Sequence, residues 1–326
     1  MGEFELLGRL RRRLPPPSPR LRDGMGDDAA ITVPGGATAT SVDALVEGVH
    51  FRRDQASLAQ IGRKGLAVAL SDLAAMGAEP GEAYVVLGVP PDLDEDGCIE
   101  LLDGLLEVAI ATDTTLAGGD ITRTEELMLA VTVVGHAPGE RSFVTRFGAH
   151  PGDALAVTGE LGGAAAGLLL LERPELADAV PDGTAARLRA RQLEPRPRLA
   201  AGRALAKTGA TGMIDISDGL GGDSLHLADY SGVKLSIDAG ALPIADGVAE
   251  VAAAAGLDPL RLATSSGEDY ELLVTLPPDR LTQAAAIVAA EGVALTEIGE
   301  AGSYRGVEIR LPDGRLLEPE GFDQLG

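Results

Sequence analysis

Asp27, Asp28, Asp43, Asp72, Asp120, Asp215 and Asp218 each stand beside a glycine or serine or at the end of a strand-like run. Hard oxygen ligands without histidine or cysteine companions suit Mg2+, which is held by carboxylates together with waters and substrate phosphates. A single such turn carries little meaning, because Asp is a common turn residue. Several of them, with Asp72 on an apolar helix face, point to a site for a metal and a polyphosphate. Lys64, Lys207 and Lys234 are the only lysines. Phosphoryl transfer in this chain would therefore have to neutralise charge mainly with metal ions.

Familiar nucleotide signatures fail. Gly202 to Thr208 resembles a P-loop, but Ala206 replaces the glycine before Lys207 and the stretch reads as helix. The HRD and DFG motifs of protein kinases are missing. Thr158-Gly159-Glu160-Leu161-Gly162-Gly163 could cradle a phosphate at a helix N-terminus or simply make a tight strand–helix turn. His50, Ser266 to Glu271 and Gly321-Phe322-Asp323 read equally well as structural residues or as contacts to a substrate.

The elements that must position these groups follow from periodicity. Residues 29–33 and 37–42 are strand-like and flank Gly35-Gly36, a two-residue hairpin signal. That register sets Asp28 opposite Asp43, with Cβ atoms about 5 Å apart. Two carboxylates so placed need a cation or a shared proton; the alternative is a frayed, solvated hairpin end. Ser57-Leu58-Ala59-Gln60 is a capping box opening a helix that stops at Gly77. On that helix Gly65, Val68, Ala69, Asp72, Ala75 and Met76 share one face, leaving Asp72 as its one charge, either a ligand or a buried cap of a neighbouring loop. A strand at 83–89, a helix at 95–111, a short strand running into Gly118-Gly119-Asp120 and a strand at 127–135 complete the first half. Strands at 154–159, 211–216, 233–238, 270–276 and 306–311, with helices near 163–172, after Gly222, at 245–255 and at 279–291, make the second. The expectation is an α+β chain of two α/β domains, residues 1–139 and 140–326, divided in the polar stretch His136 to Arg146.

Composition narrows the partners. A chain of 326 residues can bury two cores. Its net charge of −23 leaves no basic face for nucleic acid, and no apolar run approaches the ~20 residues of a membrane span. Cys98 is the sole cysteine, which excludes an intrachain disulfide and a thiolate metal cluster. The first residues, with acidic groups early and Arg9, Arg11, Arg12 and Arg13 before a proline run, do not read as a signal peptide, so a cytoplasmic location is expected.

The motifs, taken in order, resemble the thiamine-monophosphate kinase family of the aminoimidazole-ribonucleotide-synthetase-like superfamily. The matching pieces are Gly26-Asp27-Asp28-Ala29-Ala30, Asp43 through Glu47-Gly48-Val49-His50-Phe51, Leu70-Ser71-Asp72-Leu73-Ala74-Ala75-Met76-Gly77 and Gly118-Gly119-Asp120. Arg146 before Gly148-Ala149, Ile216-Ser217-Asp218-Gly219-Leu220 and Gly267-Glu268-Asp269-Tyr270-Glu271-Leu272 follow. The resemblance implies ATP-dependent phosphorylation of thiamine monophosphate to thiamine diphosphate by a homodimer built through an N-terminal sheet, with a C-terminal α/β sandwich completing the site. It also implies roles. Asp28, Asp43, Asp72, Asp120, Asp215 and Asp218 would hold several Mg2+ ions, assisted by the Ser41 and Val42 backbone oxygens. Gly119, Asp120, Arg146 and Ser217 would contact ATP, and His50, Glu268 and Phe322 the thiamine phosphate. Asp43, Asp72, Asp120 and Asp218 are the expected catalytic set. Two departures stand out: Ala69 replaces a frequent Asn, and Gln324-Leu325 follow Asp323 where the family usually has His and an aromatic, which bears on the contacts near Phe322.

That chemistry suits the residue inventory. A phosphate monoester has its second pKa near 6, so the acceptor oxygen is anionic at neutral pH and needs no general base. The obstacle is repulsion between two anions, met by positioning and charge neutralisation. The competing readings are aminoimidazole ribonucleotide synthetase, a metal-dependent phosphatase, and a non-catalytic nucleotide-binding protein. Selenophosphate synthetase would want a Cys or selenocysteine near the N-terminal glycine-rich loop, whereas Cys98 lies in a predicted helix.

Overall fold

The computed structural model describes residues 8–9, 12–16, 18–23, 30–137 and 143–322. The chain forms two compact units, Met1–Leu73 with Ala78–Ser142, and Ala74–Gly77 with Phe143–Gly326. Among the described residues no helix is long and apolar enough to cross a membrane.

In the first unit, β1 (Leu21–Asp23) pairs antiparallel with β2 (Ile31–Thr32). A four-stranded sheet contains β3 (Thr38–Val46), β4 (Glu79–Val89), β5 (Thr115–Arg123) and β6 (Met128–His136), in the order β3-β6-β4-β5. Only β4 and β5 run parallel. Helices α1 (Leu58–Ala75) and α2 (Glu95–Ala111) accompany it. The Ser57 hydroxyl accepts from the Gln60 N–H at 3.2 Å while the Gln60 side chain accepts from the Ser57 N–H at 3.0 Å, the reciprocal cap expected of the motif. Asp94 caps α2 by accepting from Gly97 N at 2.9 Å. The helices cross closely: a Cβ on Gly104 would lie 2.0 Å from the Ala59 carbonyl oxygen. β6 alternates, burying Leu129, Val131 and Val133 while Ala130, Thr132 and Val134 stay half-buried. On the latter face Val42 and Val86 are exposed.

The Gly35-Gly36 hairpin does not form. Neither glycine takes the positive φ that a type I′ turn requires at both positions. β3 finds a nine-residue antiparallel partner in β6, with Asp43 opposite Val131 rather than Asp28. A full ladder against a central strand outweighs a pairing with the two-residue β2. Asp120 also differs from expectation, since β5 continues past it to Arg123.

The second unit holds a seven-stranded sheet in the order β13-β12-β9-β11-β7-β10-β8. Its strands are β7 (Ala154–Thr158), β8 (Gly212–Asp215), β9 (Lys234–Asp238), β10 (Leu272–Leu276), β11 (Leu295–Gly302), β12 (Gly306–Arg310) and β13 (Leu316–Leu317), antiparallel except for the β9/β12 pair. Every residue of β7 and β10 is buried, so both faces of the sheet centre are covered. The helices are α3 (Gly163–Glu172), α4 (Asp182–Leu193), α5 (Leu199–Thr208), α6 (Leu220–Ser231), α7 (Val248–Ala255), α8 (Pro259–Ser265) and α9 (Leu281–Ala290). Leu155, Val157, Ile214, Leu220, Leu227 and Ile237 belong to the main core, while Leu170, Leu188, Val248 and Val251 pack a second cluster from α3, α4 and α7.

Candidate active site

The first unit brings Asp43 of β3 and Asp72 of α1 into direct interaction. The Ser41 hydroxyl, two residues along β3 and on the same face, donates to the Asp72 carboxylate. Burial and the neighbouring Asp72 push the Asp43 carboxyl up to about 6. Among the described residues no ion pair reaches either carboxylate. Two half-buried oxygen groups of like charge beside a hydroxyl are a donor set that fits Mg2+, which removes the repulsion between them. The sequence anticipates a repelling carboxylate pair at Asp43; its partner is Asp72.

Val42 lies one residue along, its side chain exposed on the opposite face, so only its main-chain oxygen can serve a metal. Asp120 is exposed and pairs with Val86, one residue off the row Asp43–Val131–Val85–Gly119. Its carboxylate does not join the Asp43–Asp72 pair, and no group of three His, Cys, Asp or Glu poised for a metal occurs among the described residues. Gly119 must be glycine here, because a Cβ would sit 2.0 Å from the Val85 carbonyl oxygen. His50 Nδ1 accepts from the Val46 N–H at 3.1 Å, which leaves the proton of the neutral ring on Nε2. The turn beneath is held by buried Lys64, whose ammonium donates to the His50 carbonyl at 3.3 Å. Asp27 and Asp28 lie outside the described residues.

The second unit gathers Asp215, Ser217, Asp218, Glu268 and Phe322 around one loop. Asp215 ends β8 and is buried. The Ser217 carbonyl accepts from the Glu268 N–H at 2.8 Å, and the Asp218 carbonyl accepts from the Phe322 N–H at 2.8 Å. The tail reaches the loop because α6 opens with glycines: a Cβ on Gly221 would lie 2.4 Å from the Glu320 carbonyl oxygen. Phe322 leaves its ring exposed.

Three groups singled out only loosely, or not at all, by sequence hold this arrangement. Asp223 in the first turn of α6 is buried and its Oδ2 accepts from Ser217, Asp218 and Gly219 N–H, each at 3.1 Å. Burial, then Asp215 and Asp218, raise its carboxyl to about 8. Asp269, raised to about 7 by burial, accepts from Gly162 N and Ala164 N at 2.7 and 3.2 Å. The glycine-rich turn at the start of α3 thus binds the protein's own Asp269 carboxyl with the N–H groups that could otherwise cradle a phosphate. Glu271, fully buried, accepts from Thr158 Oγ1 at 2.8 Å, Arg198 Nε at 2.7 Å and Arg191 Nη1 at 3.3 Å. Between these anchors Glu268 and Tyr270 hold φ of 69° and 49°, conformations that non-glycine residues rarely take. The Gln192 amide donates to the Glu268 carboxylate. A four-residue offset from Gly219 to an acid in the first turn of the helix is the available signal for Asp223.

Arg146 stands apart, its guanidinium 5.8 Å from the centre of the Tyr230 ring, which packs edge-on against Phe147 at 5.2 Å. Its carbonyl accepts from Ser231 Oγ at 2.8 Å.

Family comparison covers both units. Residues 26–137 match the AIR synthase related protein, N-terminal domain, and residues 150–311 match the AIR synthase related protein, C-terminal domain. The thiamine-monophosphate kinase of Escherichia coli (strain K12) is 40% identical over 307 residues, spanning 92% of this chain and 90% of the relative. The crystal structure of thiamine-monophosphate kinase from Stenotrophomonas maltophilia K279a superposes with a TM-score of 0.84 at 34% identity, covering 97% of this chain and 98% of that one. AaThiL complexed with AMPPCP and TMP gives a TM-score of 0.78 at 32% identity, covering 99% and 97%. An α+β chain with this ordered set of motifs and this similarity along nearly its whole length belongs to the thiamine-monophosphate kinase family of AIR-synthase-related proteins.

Proposed function

We propose that this chain transfers the γ-phosphoryl group of ATP to the phosphate of thiamine monophosphate, giving thiamine diphosphate and ADP. A phosphate oxygen of the acceptor attacks the γ-phosphorus, and the bond from the γ-phosphorus to the bridging oxygen breaks with its electron pair leaving on ADP. The observation that carries the reading is the Asp43–Asp72 pair, two carboxylates held together where a proton relieves their repulsion at low pH and a bound cation would relieve it at neutral pH. The AMPPCP and TMP held by a relative of the same fold supply the matching substrates.

Each residue has a part in this reading. Asp43 and Asp72, with the Ser41 hydroxyl or carbonyl and the Val42 carbonyl, hold Mg2+ in the first unit. Asp215 and Asp218 hold it in the second, and Asp28 and Asp120 add carboxylates from their own segments. Bound Mg2+ supplies charge neutralisation between the two phosphate chains. Gly119, Asp120, Arg146 and Ser217 contact ATP, the arginine serving as a fixed cation in a lysine-poor chain. His50, Glu268 and Phe322 receive thiamine monophosphate, with the carboxylate and the ring suited to a cationic heterocycle. No side chain is needed as general base, since the acceptor phosphate is already ionised at neutral pH.

Residues 1–139 are the metal- and ATP-binding and dimerisation domain in this proposal, and 140–326 complete the site. The exposed sheet face with Val42 and Val86 is the surface through which two copies would pair. In this proposal the reaction takes place in the cytoplasm. Incubation with MgATP and thiamine monophosphate, followed by chromatography, tests the function. Thiamine diphosphate and ADP in equal amounts are expected. Inorganic phosphate without thiamine diphosphate would identify a phosphatase instead.

A further inference from the structure

The loop Ser217-Asp218-Gly219 is pinned from both sides. Its three consecutive N–H groups converge on a single oxygen, Asp223 Oδ2, at 3.1 Å each. Successive N–H groups turned inward form a backbone nest, a concavity that attracts an anion. Here the acceptor oxygen belongs to the same chain and is anchored on α6, where Asp223 N in turn donates to the Gly219 carbonyl at 3.0 Å. With the N–H groups turned in, the Ser217 and Asp218 carbonyls accept from Glu268 N and Phe322 N. One buried carboxylate therefore sets the orientation of peptide units that carry Ser217 and Asp218 on one side and hold Glu268 and Phe322 on the other.

We infer that Asp223 is a positioning residue for the phosphoryl-transfer site: it fixes the 217–219 loop so that the MgATP side and the thiamine phosphate side are held by one rigid element. The inference rests on the proposed roles of Ser217, Asp218, Glu268 and Phe322. Asp223 touches no substrate in this role. It acts through the three peptide N–H groups, so what matters is an acceptor oxygen at that point in space. Asparagine supplies such an oxygen, alanine removes it, and glutamate moves it by one methylene while keeping the carboxyl group.

The test is calorimetric titration of wild-type protein, Asp223→Asn, Asp223→Glu and Asp223→Ala with Mg2+ and AMPPCP. Steady-state KM for thiamine monophosphate and thermal melts are measured alongside. Asp223→Asn should bind AMPPCP within about threefold of wild type, following retention of the acceptor. Asp223→Ala should bind it at least about tenfold more weakly, the scale of one lost positioning interaction, with KM for thiamine monophosphate raised in parallel. If Asp223→Ala does not fold, Asp223→Glu carries the test and should show the same weakening. A folded Ala or Glu variant with lowered Tm but wild-type affinity would mean a purely structural role and overturn the inference. So would an Asn variant as impaired as alanine, because charge rather than geometry would then be the cause. Wild-type protein that binds no AMPPCP would sink the functional reading itself, whereas wild-type binding with unaffected variants sinks only the positioning role.

Discussion

The Asp43–Asp72 pair turns a residue-scale fact into a pH dependence with a definite sign. Asp43 is raised to about 6 by burial and by Asp72, so the metal-free native state holds this proton more tightly than the unfolded chain. Its stabilising contribution is complete below about pH 4 and is lost as pH rises through about 6. At ~1.4 kcal/mol per pH unit this is bounded at about 3 kcal/mol. Asp43→Asn should remove that dependence: in chelator, denaturant melts of wild type and variant should diverge as pH rises from 4 to 7, with the variant gaining. The same substitution should lower turnover on the order of 100-fold or more, as removal of transition-state charge stabilisation does. A variant with wild-type kcat would end the metal role. The sequence carried half of this: Asp72 stands out as the one charge on a small apolar face, and Asp43 as a carboxylate pressed against another. Which carboxylate it meets is tertiary information. It depends on β3 choosing β6 over β2, and local periodicity does not encode that choice.

At the scale of elements, strong local signals coincide with the elements that form. The apolar positions 98, 101, 102, 105, 106 and 109 predict the helix 95–111, and α2 spans Glu95–Ala111. β11 was not legible because its ladder is broken: the register shifts between Glu297 and Gly299, so its charged and apolar residues never alternate cleanly. The glycines at the start of α6 were read as the residues before a helix, yet the helix already begins at Leu220. Their role is contact with the tail, which no neighbouring residue announces. Gly221→Ala should therefore push residues 319–322 off α6. The expected cost in stability is about 1–3 kcal/mol, typical of overpacking. KM for thiamine monophosphate should rise more than KM for ATP, because the Phe322 N–H loses its fixed acceptor on Asp218. Equal changes in both constants would place the tail outside the substrate side of the site.

For the whole molecule, the question is what covers the half-exposed face of the four-stranded sheet. Val42 is 64% exposed and Val86 37%, beside Ala130, Thr132 and Val134. An apolar sheet face of this kind suits the proposed association of two copies, whose pairing through it would give a closed two-fold assembly. Val42→Asp should convert the proposed dimer to monomer in sedimentation velocity with little change in far-ultraviolet circular dichroism. A wild-type protein that sediments as a monomer at micromolar concentration would refute the dimer. Net charge of −23 sharpens the expectation, since repulsion between copies is screened by salt and the dimer should tighten as ionic strength rises.

Translation delivers Asp218 and Gly221 long before Glu320 and Phe322. The loop and α6 therefore precede in the chain the stretch that seats on Gly221. If Phe322 has its proposed role, a protease nick between Leu317 and Gly321 should leave a folded protein that binds thiamine monophosphate poorly, and bound thiamine monophosphate should slow the cut by keeping residues 319–322 seated on Gly221 and Gly222.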